Sequence, residues 1–400
     1  MNDAGSAACG EASIAFPFAE AELYRATARK FLDRECPLDK IAQWEEQDHI
    51  PRELICKMAD AGLLAVTVPE EFGGMGRQVL AMSIILEEFA ARWSAVAGLY
   101  NMSVGYGSLH MGSKGTREQQ AQYLPKLLRG EILFAYGLSE PDVGADLAAV
   151  KTCVRRERGK VVVKGAKRWT SGAAMADYIL VLARSGDLAS RRQNLSFIIV
   201  PRTAPGVGIQ QLPCMGMRGG PTYDVRLDNV ELEESMILGG EAGWNNGWSM
   251  LAGPSLEIEK LTPTMIALGL AKGALAEAWE YSQQRLQGGK RICGHQAVRH
   301  VLADAQTQWK ACQLMAYHGA LKVEQNIESA VDTSMAKLFV SESCKNIVLS
   351  CQQYVMGAYG YAKGFQMERF VRDILVFPIV GGSVAIQRNN IANLMKLPRE

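Results

Sequence analysis

The chain is short of charge imbalance, histidine, paired cysteine and long apolar runs, and each shortage removes a class of function. Lysine and arginine number 43 against 42 aspartates and glutamates, for a formal net charge of +1. That balance gives no electrostatic case for nucleic acid or an anionic membrane surface. Five histidines are present, and none is paired at i,i+4; His295 and His300 would not share a helix face, so no metal site is predicted. The nine cysteines are scattered, odd in number and without a CxxC pair. They read as reduced, mostly buried thiols and predict a cytoplasmic protein rather than a disulfide framework. No apolar run approaches the roughly 20 residues that span a bilayer. Ile374–Val380 is among the longest and contains Pro378. The first residues lack a basic segment followed by an apolar one, so no secretory signal is expected. Neither GxGxxG nor GxxxxGK[ST] occurs, and the βαβ alternation of a nucleotide-binding sheet is missing. Any nucleotide must be held some other way.

What is present is globular material whose hydrophobic period changes twice. With 400 residues, 48% hydrophobic and 21% charged, the chain can bury a core in two or three domains. Residues 1–15 are small and polar and read as a tail. Residues 16–133 read as a helical domain, with helical spacing over 19–36, 79–93 and 103–111. Pro51 sits at a first helical position for a helix over 51–61, and a helix over 117–129 ends at Gly130. Residues 134–240 carry short β-branched runs at 160–164, 178–183, 195–200 and 223–228, separated by Gly, Pro, Asn and Asp. These predict an antiparallel sheet folded as a barrel or sandwich. Helical spacing then returns over 244–287, 293–323, 328–358 and 365–396, so 241–400 reads as a C-terminal four-helix bundle. The fold class is α+β.

The junction stretch Phe134–Asp146 packs Ser139, Glu140, Pro141, Gly144 and Asp146 into one turn. Gly144 allows close backbone approach to a ligand, and Ser139 offers a hydroxyl. Taken alone it is a polar turn. Other motifs join it in order: Lys167–Ser171, Met215–Thr222, Asp228–Val230, Arg285–Ile292 followed by Gln296, and Gly357–Tyr361 followed by Glu368–Arg369 and Arg372–Asp373. The series resembles the acyl-CoA dehydrogenase family over about residues 17–396. Three positions depart from its pattern: Ala145 replaces Ser or Thr, Gly288 replaces Phe, and Tyr354 replaces Gln.

The resemblance implies FAD as cofactor. Trp169 would stack on the isoalloxazine, Ser171 would reach flavin N5, and Ser139 the pyrimidine edge. Tyr136 and Leu138 would line that edge with backbone groups, with Gly144, Ala145 and Thr170 beside them. Arg285 and Gln296, supplied by a neighbouring subunit, and the segment holding Tyr354, Gly357 and Ala358 would meet the pyrophosphate. Ser383 matches a flavin-contacting Thr, with Ala385 close by. Ala145, Lys260, Gly381 and Gly382 would face the CoA thioester. Singly, Trp169 reads as a core residue and Arg285 as a solvated helix residue; their joint placement favours the cofactor.

The chemistry implied is removal of an α-proton from an acyl thioester, with hydride transfer from the β-carbon to flavin N5. A weak carbon acid needs a carboxylate base in a dry site and donors at the thioester oxygen. Most of the family places that base near the C-terminus, where this chain has Gly381. Glu259, on the first helix after the β domain, matches the upstream base position of isovaleryl- and long-chain-type members. Leu251, Ser255, Glu259, Thr262 and Ile266 form one helical stripe, and Glu257 lies about 200° away. The plain alternative is a surface carboxylate paired with Lys260. Pro263 cannot donate to the Glu259 carbonyl and predicts a kink or wide turn at the base. The Gly381 N–H would polarise the thioester oxygen.

The leading reading is therefore an FAD-dependent acyl-CoA dehydrogenase, a homotetramer passing electrons to an electron-transfer flavoprotein. The alternatives are an enoyl-CoA reductase of the crotonobetainyl-CoA type, a flavin oxidase on the same fold, and a relative that binds FAD and CoA without dehydrogenating.

Overall fold

Apolar residues at helical spacing generate the first part of the chain: α1 (Phe18–Glu35), α2 (Leu38–Glu46), α3 (Glu53–Asp60), α4 (Val79–Arg92), α5 (Ser94–Ser103), α6 (His110–Lys114) and α7 (Arg117–Leu128). The structure, a computed structural model, describes residues 17–252 and 254–398, so the expected tail lies outside the described residues. Helix α2 has no counterpart among the sequence expectations. Pro51 lies just ahead of α3 rather than at its first turn. The helix expected over 103–111 is part of a longer unit: α5 and α6 are joined by a π-helical turn, Val104–Leu109. π-turns of this kind concentrate at functional sites. Helix α7 opens with a capping box between Thr116 and Gln119.

Seven strands follow: β1 (Phe134–Gly137), β2 (Cys153–Glu157), β3 (Lys160–Ser171), β4 (Tyr178–Arg184), β5 (Leu195–Pro201), β6 (Val207–Leu212) and β7 (Thr222–Glu233). They form one sheet in the order β1-β4-β2-β3-β7-β6, with β5 also on β4. The sheet is mainly antiparallel, but not wholly as expected. β1 pairs with β4 in parallel, Phe134 opposite Tyr178, and β2 meets β4 in parallel at Cys153 and Arg184. β1 enters directly from the helical region and is only four residues long. That brevity hid it in the sequence.

The chain returns to helix through α8 (Gly240–Gly243), α9 (Gly247–Ala252), α10 (Pro254–Gln284), a small hairpin β8–β9 (Leu286–Gln287, Lys290–Arg291), α11 (Gln296–Glu324), α12 (Ala330–Ser350), α13 (Met367–Ile374) and α14 (Val384–Leu394). The helix expected over 365–396 is two helices, separated around Pro378 and the glycines 381–382. Helix α10 packs on α4, α11 and α12. Gly269 and Gly273 permit this approach: a Cβ there would lie 2.3 Å from the Glu87 carbonyl oxygen and 2.4 Å from that of Ala91. A buried charge cluster ties the same helices. Glu87 accepts from Arg25 at 2.9 Å and Lys272 at 2.6 Å, and Arg25 also donates to the Tyr317 hydroxyl at 2.8 Å. Removing one partner from such a cluster leaves an uncompensated buried charge. The result is a rigid seat for the N-terminal half of α10, which carries Glu259.

Candidate active site

A cleft of about 2580 Å³ opens between α10, the α5–α6 unit, the sheet and the 375–390 segment. One wall is the junction loop after β1. Glu140 fixes it: its carboxylate accepts from the Lys151 and Thr152 amides at 2.7 and 2.9 Å and from Lys167 Nζ at 2.8 Å. Lys167 is fully buried and also donates to the Leu138 carbonyl at 2.9 Å. Burial pushes Lys167 down to about 8 despite Glu140. Burial raises the Glu140 carboxyl, but Lys167 outweighs it and holds the net value below the ordinary one. The Arg168 amide donates to the Ser139 carbonyl at 2.9 Å, which sets Ser139 beside Trp169.

Trp169 is unusual on two counts. It is 57% exposed, and its φ is +65°. A bulky residue in the left-handed region costs of order 1–3 kcal/mol and persists only where its surroundings impose it. Here it falls at a register shift in the β3–β7 pairing, between Lys167 and Thr170. The indole is thereby presented to the cleft, with Ser139 and Ser171 on the same lining. An exposed flat aromatic flanked by hydroxyls fits a planar, hydrogen-bonding heteroaromatic ring. Thr170 is different. It is fully buried and its hydroxyl has no partner, so it does not line the cleft.

Glu259 projects into the opposite wall. The stripe Leu251, Ser255, Glu259, Thr262 and Ile266 lines the cleft along its length. Glu257 faces elsewhere: it bonds Thr333 and pairs with Lys260 at 2.6 Å. The surface pairing of Glu259 with Lys260 therefore does not form. The Lys260 ammonium is taken up by Glu257, Ser334 Oγ at 3.0 Å and the Ala330 carbonyl at 3.2 Å, because those groups surround its buried side chain. Lys260 nonetheless lies on the cleft lining. Glu259 Oε1 instead accepts from the Tyr136 hydroxyl at 2.9 Å and lies 3.1 Å from His110 Nε2. Tyr136 thus brings a side-chain contact to Glu259 that the sequence reading, which used only its backbone, did not include. His110 Nδ1 lies 2.9 Å from the Gly105 carbonyl inside the π-turn. Tyr106 stacks on Tyr136 with centroids 5.3 Å apart, and Tyr136 stacks on Phe197 at 5.8 Å.

The electrostatics of this wall follow from burial. It holds the His110 imidazole below its ordinary value, helped by Lys114 and opposed by Glu259. Burial, then the charge of Glu259, push the Tyr136 hydroxyl well above the ordinary range and Tyr106 up to about 12. Lys114 is pushed down to about 8 by burial against the pull of Glu259, and its Nζ has no hydrogen-bond partner among the described residues. His110 and Lys114 were not picked out from the sequence, which offered Tyr106 only as a bulky side chain among those shaping the pocket. The available signal was their spacing, 106, 110 and 114, a stripe at i,i+4 on one helical unit.

Gly381, Gly382 and Ser383 line the cleft across from Glu259, with Gly381 at φ +64°. Helix α10 continues as one helix through Pro263, from Pro254 to Gln284. Thr262 and Thr264 hydroxyls bond the Ile258 and Lys260 carbonyls one turn back, at 3.2 and 2.7 Å. Ser383 caps α14 through the Ile386 amide at 3.4 Å. Leu138, Gly144 and Ala145 lie on the cleft lining as well. Ala385 does not, and neither do Arg285, Gln296, Tyr354, Gly357 and Ala358. Arg285 lies over the Tyr359 ring, 5.0 Å from its centroid, and Tyr354 is exposed.

Comparison with known proteins identifies the family. Family profiles described as acyl-CoA dehydrogenase N-terminal, middle and C-terminal domains match residues 19–131, 135–230 and 245–396. A 3-(aryl)acrylate reductase of Clostridium sporogenes is 35% identical, over 94% of this chain and 98% of its own length. The caffeyl-CoA reductase–Etf complex subunit CarC of Acetobacterium woodii is 31% identical, over 94% and 97%. The crystal structure of acyl-CoA dehydrogenase from Geobacillus kaustophilus superposes with a TM-score of 0.89 at 26% identity, covering 97% of this chain and 100% of that one. The chain belongs to the acyl-CoA dehydrogenase family, oxidoreductases acting on CH–CH donors.

Proposed function

We propose that this protein interconverts acyl-CoA and α,β-enoyl-CoA thioesters with bound FAD, Glu259 exchanging the α-proton. The observation that carries the reading is Glu259 on the cleft wall, hydrogen-bonded to Tyr136 and His110, opposite a Gly381 that brings no carboxylate. The ring site fits a flavin, since Trp169 offers an exposed aromatic face and Ser139 and Ser171 offer hydroxyls. A flavin held there would supply the hydride acceptor or donor for the β-carbon. The chain's own residues do the rest. Glu259 takes or returns the proton at Cα. Tyr136 donates to its carboxylate and holds its orientation. The aromatic wall of Tyr106 and Tyr136 excludes water from the reacting carbons. The backbone at Gly381 and Gly382 faces the thioester oxygen, where negative charge develops.

Arg285, Gln296, Tyr354, Gly357 and Ala358 lie away from this cleft, so the pyrophosphate role assigned to them requires a neighbouring copy. Exposed Trp279, Leu286, Leu314, Phe339, Tyr354 and Tyr361 in the C-terminal region support assembly, read here as a homotetramer. Electrons are exchanged with an electron-transfer flavoprotein, as the name of the Acetobacterium relative suggests.

A second reading, the enoyl-CoA reductase direction, is favoured by relatives named 3-(aryl)acrylate, caffeyl-CoA and acryloyl-CoA reductases. The deciding experiment mixes FAD-loaded enzyme with acyl-CoAs, and photoreduced enzyme with enoyl-CoAs, anaerobically. Flavin bleaching in the first series and reoxidation in the second are both expected in wild type, and loss of both in Glu259→Gln. Turnover with oxygen on another substrate, without either response, overturns the proposal in favour of an oxidase.

A further inference from the structure

We propose that His110 and Glu259 hold one shared proton in the ligand-free protein, so that the site rests loaded with the proton that the α-carbon receives in enoyl reduction.

The argument is a count of hydrogens. Three polar atoms form a triangle: Glu259 Oε1, the Tyr136 hydroxyl and His110 Nε2, at separations of 2.9, 3.1 and 3.2 Å. The tyrosine hydroxyl has one hydrogen, and the shortest side shows it donated to Oε1. The other imidazole nitrogen, Nδ1, lies 2.9 Å from the Gly105 carbonyl, which can only accept. Nδ1 therefore carries its hydrogen. A neutral imidazole has only one N–H, so Nε2 would meet the carboxylate oxygen lone pair to lone pair. His110 is 3% exposed and cannot turn that face to water. Buried polar groups left opposed in this way are expensive, and native sites avoid them. One further proton between Nε2 and Oε1 removes the conflict. It makes the pair either imidazolium and carboxylate, or neutral imidazole and carboxylic acid.

The surroundings bear on where that proton sits. Facing His110 are Glu259 from α10, Tyr136 from β1 and Lys114 from its own helix, while Tyr106 stacks behind Tyr136. Burial and the Lys114 charge both disfavour a doubly protonated ring, and Glu259 favours it. It is the hydrogen count at Nδ1, Nε2 and Oε1 that assigns the proton to the pair. The π-turn is what creates the geometry, since it places the Gly105 carbonyl against the ring of the residue five positions on.

The consequence for the reaction rests on the function proposed above. In enoyl reduction a hydride arrives at Cβ, the π pair of Cα=Cβ becomes the new Cα–H bond, and the hydride donor is oxidised. The proton for that bond leaves the His110–Glu259 pair, which ends as neutral imidazole beside carboxylate. In acyl oxidation the pair must first lose its resident proton before Glu259 can accept the one from Cα. His110 is thus a positioning residue that acts through Glu259.

The test uses FAD-loaded protein labelled with 15N-histidine at neutral pH, the five histidine signals being assigned with His110→Gln. Expected in wild type is either an imidazolium signature for His110, or a neutral Nδ1–H ring together with a protonated-carboxyl infrared band that disappears in Glu259→Gln. In Glu259→Gln the side-chain amide donates to Nε2, and His110 becomes a neutral Nδ1–H ring. A wild-type neutral imidazole without that carboxyl band overturns the proposal, as does a ring protonated at Nε2 alone. His110→Gln should also slow flavin reoxidation by enoyl-CoA on the order of 10²-fold and flatten its pH profile, with KM little changed. An unchanged pH profile overturns the catalytic part. If the spectra show the shared proton while Glu259→Gln turns over normally, the pair stands and Glu259 as the base falls.

Discussion

The Pro263 ring stands where a side chain at Gly381 would begin: a Cβ built on Gly381 would lie 2.6 Å from Pro263 Cγ and 3.6 Å from the Glu259 carbonyl oxygen. The position that the family resemblance would give to a base is therefore tightly packed as well as lacking a carboxylate. Gly381→Glu is expected to destabilise by about 1–3 kcal/mol through overpacking and added backbone strain at φ +64°. It should not raise acyl-CoA-dependent flavin bleaching. Adding Pro263→Ala should recover part of the stability. Urea titration and stopped-flow bleaching of both variants check this; a faster single variant would show that the site has room for a second carboxylate.

Glu259→Gln keeps a side chain of the same shape between Tyr136 and His110, so the fold should be retained. Flavin reduction by acyl-CoA should fall by about 10²–10⁴-fold, the usual contribution of a positioned base. Single-turnover kinetics with matched circular dichroism separates loss of chemistry from loss of structure.

Lys167→Met leaves Glu140 buried without its cation. The expected loss is about 3–5 kcal/mol. Because Glu140 organises the loop that sets Ser139 and Trp169, the same variant should release flavin more readily on dilution. Lys167→Met combined with Glu140→Gln should be less damaged than the single change. Denaturant midpoints and the flavin-to-protein absorbance ratio read the two effects.

Lys114 gives a pH signature. Its folded-state value is lowered to about 8 from 10.5, mainly by burial. Between those two values the unfolded chain holds a proton there that the folded chain has lost, so stability rises with pH across that window. Lys114→Met should remove this increment. Melting temperatures of ligand-free wild type and variant, taken from pH 7 to 10, should therefore diverge least at the alkaline end, with the variant the more stable at pH 7.

Local pattern carried much of this protein. The change of hydrophobic period marked helices, strands and helices again, because periods of 3.6 and 2 are properties of neighbouring residues. The motif series around Ser139, Trp169 and Glu259 was legible for the same reason, and so was the opposed facing of Glu257 and Glu259 on one helix. What could not be read depends on contacts distant in sequence. His110 meets Glu259 across 149 positions, and Tyr136 meets it across 123. The Pro263–Gly381 contact joins two separate elements. Pro263 predicts a kink locally, and α10 runs on through it as one helix packed against α4 and α12. The sequence by itself determined the succession of helical, strand and helical segments and the helix that carries the carboxylate. Only the tertiary structure decided which groups share its proton and why no carboxylate fits at 381, since packing alone brings those atoms within reach.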